Sequence, residues 1–115
     1  VLKAQNTVRI DGRQITDKPS FHDVFSAAFG FPDFYGRNYD AWIDCLTHLD
    51  ASTEEAMTRV RVLPGELLIL YVDHAEAMRH VCPEVLQFLL EATAFVNFRR
   101  MDRGLPAVLV LALNC

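Results

Sequence analysis

Two uninterrupted apolar runs, Leu67-Leu68-Ile69-Leu70-Tyr71-Val72 and Ala107-Val108-Leu109-Val110-Leu111-Ala112-Leu113, constrain the fold of this chain more than any other feature. Each has the length of a strand and lacks the polar alternation of a half-exposed strand. Such strands are expected to be covered on both faces, as in the parallel sheets of α/β proteins. A third strand is predicted at Thr7-Val8-Arg9-Ile10, which alternates and runs into the turn pair Asp11-Gly12.

Helical patterns separate the strands. Phe21, Val24, Phe25 and Ala28 recur at i, i+3, i+4 and i+7, with Ser20 as the expected cap, Asp23 in the capping-box place and Gly30 as terminator. Asn38 is expected to cap a helix from about Tyr39 to His48. Asp73 is expected to cap a short helix through Met78. Pro83 opens a longer one whose apolar side carries Val85, Leu86, Phe88, Leu89, Ala92, Phe95 and Val96, ended by Gly104 and Pro106. Residues 50–57 read as a polar, mobile loop or short helix. Met57 to Val62 alternates before Pro64-Gly65, which predicts at most an edge strand. Strands joined through helices imply crossovers, so the expected class is α/β: about three parallel strands packed with helices, in one small domain over residues 1–115. No repeat, low-complexity tract or linker divides the chain.

Charge and cysteine usage narrow the function. A net charge of −4 argues against direct nucleic-acid binding, which needs clustered Lys and Arg, and is compatible with a basic protein partner. No apolar run has membrane-spanning length, and no charged segment leads into a signal-type apolar stretch. Cys45, Cys82 and Cys115 are odd in number and form no C-x-x-C pair, which points to reduced thiols in a cytoplasmic protein. There is no G-x-S-x-G, phosphate-binding loop or dinucleotide fingerprint. His48 with Asp44, and His74 with His80, are too sparse to suggest a metal site. Neither metal nor cofactor is expected.

On a wheel of about 100° per residue, Tyr39, Trp42, Cys45, Leu46 and Leu49 fall on one arc and Asp40, Ile43, Asp44 and Thr47 on the other. Asp40 sits in the first turn, where the helix dipole alone favours an acid by about 0.3–1 kcal/mol. Asp44 lies beyond that benefit and repels Asp40 by a few tenths of a kcal/mol. From spacing alone the pair reads as a solvated helix face, a binding surface or, least of all, an acid–base pair. Cys45 with His48 could suggest a nucleophile and base, but Cys45 falls on the core arc.

The stretch Phe31-Pro32-Asp33-Phe34-Tyr35-Gly36-Arg37-Asn38-Tyr39-Asp40-Ala41-Trp42-Ile43-Asp44-Cys45-Leu46-Thr47 closely resembles the signature of the barstar family, intracellular inhibitors of barnase-type ribonucleases. The resemblance implies a non-enzymatic role: blocking the active site of a basic microbial ribonuclease with an acidic helix and an aromatic loop that stand in for substrate phosphate. It implies contact roles for Phe34, Tyr35, Gly36, Asn38, Asp40, Ile43, Asp44 and Thr47, with Asp44 at the centre. It adds Glu91 if Val85-Leu86-Gln87 is the anchor of the later match, and makes Cys45 and Cys82 structural thiols. Phe34 stands where the family prototype has Tyr, and Trp42-Ile43 where it has Leu-Trp, which shifts the large aromatic from rim to core. The alternative is an interaction or immunity module of the same fold that serves a different protein or toxin.

Overall fold

The computed structural model describes residues 6–52 and 54–115. Strands β1 (Thr7–Asp11), β2 (Leu68–Asp73) and β3 (Leu109–Leu113) form one parallel sheet in that order, with β2 central. Register pairs Val8 with Leu70 and Ile10 with Val72 on one side, and Leu68 with Leu109 and Leu70 with Leu111 on the other. Helices α1 (Lys18–Phe29) and α2 (Tyr39–Thr47) lie between β1 and β2 in sequence, and α3 (Ala75–Val81) and α4 (Pro83–Asp102) between β2 and β3. The class is α/β, as the apolar runs imply.

Among the described residues the sheet is sealed on one face only. Val8, Ile10, Leu68, Leu70, Val72 and Leu109 are buried beneath Phe21, Phe25, Phe29, Trp42, Leu46, Met78, Val85, Leu89 and Val96. On the other face Thr7, Arg9 and Val110 are exposed, and Ile69 and Tyr71 half-buried. The expectation of strands covered on both faces is therefore corrected, most clearly at β3, an edge strand whose Val110 and Leu113 reach solvent. The bare face is partly closed by its own side chains: the Arg9 guanidinium lies 4.5 Å from the centre of the Tyr71 ring.

Helix ends follow local chemistry, with two corrections. Asp17, not Ser20, caps α1; its carboxylate accepts from Ser20 N at 2.9 Å while Ser20 Oγ accepts from Asp17 N at 3.1 Å. Gly30 closes α1 in the left-handed region, at φ 71°. Asp73 does not cap α3: His74 holds that position at φ 55° with no side-chain cap, and Asp73 ends β2 bound to Arg9 and Asn114. The predicted edge strand over 57–62 is absent. Arg59 N and Val60 N donate to Phe29 O, and Val62 N to Leu49 O, so this segment satisfies helix-end carbonyls instead of joining the sheet. Residues 50–52 and 54–57 make turns without a helix; Thr53, within the same predicted loop, lies outside the described residues.

Candidate docking face on α2

Asn38 starts α2 by accepting from Ala41 N at 2.7 Å through its side chain. Inward residues then anchor the helix. Trp42, Cys45, Leu46 and Leu49 are buried, Trp42 packs among Phe21, Phe25 and Phe88, and the Tyr39 ring stacks on Phe88 at 3.5 Å between centroids. Burial pushes the Cys45 thiol up to about 11, and His48 Nδ1 donates to Asp44 O at 2.8 Å, so the two form no nucleophile–base pair.

The last turn is held from α4 by a residue that sequence reasoning did not single out. Arg100, almost wholly buried, donates to both Asp50 oxygens at 2.9 and 2.7 Å, to Thr47 O at 2.8 Å and to Pro106 O at 2.9 Å. Its guanidinium holds the Asp50 carboxyl below the usual carboxylate range. The sequence did contain a signal: Arg100 continues the buried stripe Val85, Leu89, Ala92, Val96, where a cation needs an acid.

The loop before α2 is pinned to α1. Tyr35 N donates to Pro32 O at 2.9 Å, and the Tyr35 hydroxyl shares a 2.6 Å hydrogen bond with His22 Nδ1. Arg37, in the left-handed region at φ 54°, reaches back to Asp23 at 2.7 Å. Phe34 is thereby left outside, 75% exposed, while Tyr35 turns its hydroxyl inward. Gly36 and Asn38 are exposed beside it.

Asp40 and Asp44 both reach solvent on the outer side of α2, with Ile43 half-buried between them. Among the described residues Asp40 has no hydrogen-bonding or ionic partner. Asp44 has one: its Oδ1 accepts from Arg99 Nη1 at 2.9 Å. The Asp44 side chain is 54% exposed and that of Arg99 26%. Thr47 departs from the wheel. It is 3% exposed and its hydroxyl donates to Ile43 O at 2.6 Å, because α4 comes over the last turn of α2. Its outward placement is corrected. Glu91 is exposed on α4 and accepts from Gln87 Nε2 at 2.7 Å. It lies about one turn beyond Phe88, whose ring touches Tyr39.

Cations flank this acidic strip. On one side Asp44, His48, Glu55, Met57, Arg99 and Arg103 line an open cleft of about 420 Å³. On the other, Lys18, Pro19, His22, Arg37, Asn38 and Tyr39 line one of about 320 Å³. Among the described residues no group of three His, Cys, Asp or Glu side chains is placed to hold a metal, and no helix is long and apolar enough to cross a membrane. The arrangement suits binding of a cationic surface by a rigid helix.

Comparison with known proteins adds two findings. Residues 5–112 match a family model described as Barstar (barnase inhibitor). A protein of Bacillus subtilis (strain 168) named "Putative ribonuclease inhibitor YrdF" is 50% identical over 38 residues, a match covering 33% of this chain and 42% of that relative.

Proposed function

The chain belongs to the barstar family, and from that premise we propose that it inhibits a basic, barnase-type microbial ribonuclease. The outer face of α2 and its preceding loop enter the enzyme's active-site cleft. Such a cleft gathers Arg, Lys and His to stabilise phosphate charge, and a fixed anionic surface complements those cations. The observation that carries the reading is the placement of Asp40 and Asp44 side by side in solvent on a helix whose other face is locked in the core. Because the helix is already ordered, association loses little conformational entropy. Phe34, Gly36, Asn38 and Ile43 extend the contact, Tyr35 supports the loop from within, and Glu91 adds a third carboxylate from α4. The protein acts by binding, without catalysis or cofactor, as one domain in the bacterial cytoplasm.

Titration against a panel of basic microbial ribonucleases tests this. RNA cleavage by at least one of them should stop near one inhibitor per enzyme. Replacing Asp44 with Ala should weaken that complex by at least about 2 kcal/mol while changing stability by less than about 0.5 kcal/mol. A protein inert against the whole panel sinks the reading. The second reading, an immunity or interaction module for another protein, then leads; Arg37 and Arg99, cations set within the same face, favour it.

A further inference from the structure

The centre of the docking face is already engaged. Arg99 holds Asp44 Oδ1 at 2.9 Å and leaves Oδ2 without a partner among the described residues. This pair is half open to water, so it stabilises the free chain only weakly. It nevertheless cancels the charge on which encounter with a basic surface depends. We propose that Arg99 is a built-in competitor for Asp44, which restricts docking to partners whose cations converge on both carboxylate oxygens. The proposal rests on reading α2 as the docking helix.

The competition follows from geometry. A partner presenting one mobile lysine can reach only Oδ2 and must meet the Arg99 charge beside it. A cleft holding two or more fixed cations desolvates Asp44, takes both oxygens and displaces Arg99. The released guanidinium has other acids within its surroundings. Glu55 lines the same cleft, and Asp102 lies one turn further along α4, exposed and without a partner among the described residues. Exchange therefore does not strand a buried charge. Arg99 thus sets a threshold on the partner's charge density, and its removal should tighten binding while admitting weaker partners.

The test compares wild type with Arg99→Gln, each in Asp44 and Asp44→Asn backgrounds, against two probes: the ribonuclease found by titration and a hexa-arginine peptide. In the Asp44 background Arg99→Gln should bind both probes about three- to fivefold more tightly, with faster association from low-salt buffer. In the Asp44→Asn background that gain should vanish, which separates competition at one carboxylate from a change in net charge. Unchanged or weaker binding of the peptide, or a gain that survives Asp44→Asn, overturns the proposal whatever the enzymes do. A peptide gain that depends on Asp44, with no ribonuclease bound by either form, supports the competition and sinks the ribonuclease reading.

Discussion

Tyr39 and Trp42 each carry into the core a polar atom that finds no partner among the described residues, Oη of Tyr39 and Nε1 of Trp42. An unpaired buried hydroxyl destabilises by about 1–3 kcal/mol relative to an apolar group of the same shape. Tyr39→Phe keeps the ring stacked on Phe88 and deletes only that hydroxyl, so it should raise stability by about 1 kcal/mol in urea unfolding. A loss would mean that Oη is hydrated. The outward direction of Asp40 and Asp44 was readable from their i, i+4 spacing, because both lie near the middle of the exposed arc. Thr47 was not. A wheel records direction without neighbours, and the same arc that is open at Asp44 is covered at Thr47 by the α4 turn bearing Arg100. The Asp44–Arg99 pair was invisible for the same reason, since it joins positions 55 residues apart.

Between elements, the clamp of Arg100 on Asp50, Thr47 O and Pro106 O ties the end of α2 to α4 and to the approach of β3. Arg100→Ala leaves Asp50 poorly solvated and unpaired, and should destabilise the protein by about 3–5 kcal/mol in chemical denaturation. A loss below about 1 kcal/mol would show that water replaces the guanidinium without penalty. At the other end of α2, Asn38→Ala removes the bond to Ala41 N and should reduce stability by about 1 kcal/mol. The existence and order of strands and helices were legible because apolar runs of strand length alternate with helical periodicity. Caps were less so. Asp17 and Ser20 both suit an N-terminus, and the choice depends on where the 3-10 turn Gly12–Gln14 delivers the chain. Residues 57–62 alternate like a strand, yet their donors are taken by Phe29 O and Leu49 O before any sheet edge is reached.

At the scale of the molecule, the bare face of the sheet explains why apolar composition overstated burial: Ile69, Tyr71 and Val110 are apolar but, among the described residues, have no helix over them. The covered face holds the group that couples pH to the fold. His22 is almost wholly buried on α1, and burial first, then the nearby Arg37 and Lys18 charges, lower its pKa, with Asp23 opposing. Tyr35 faces it from the loop before α2, its own pKa raised by burial. The folded protein therefore keeps His22 neutral at pH values where the unfolded chain, titrating near 6.5, already binds a proton. Stability should be full above about pH 6.5 and fall as pH drops through the window between 6.5 and the lower folded value. A second loss belongs below about pH 4, where Asp50, held down by Arg100, and Asp11, held at about 2 by Arg13, become protonated. Urea unfolding at stepped pH should show both limbs. His22→Gln should flatten the upper limb while leaving the acid limb in place; an upper limb that survives the substitution would assign it to another group and release Tyr35 from the linkage.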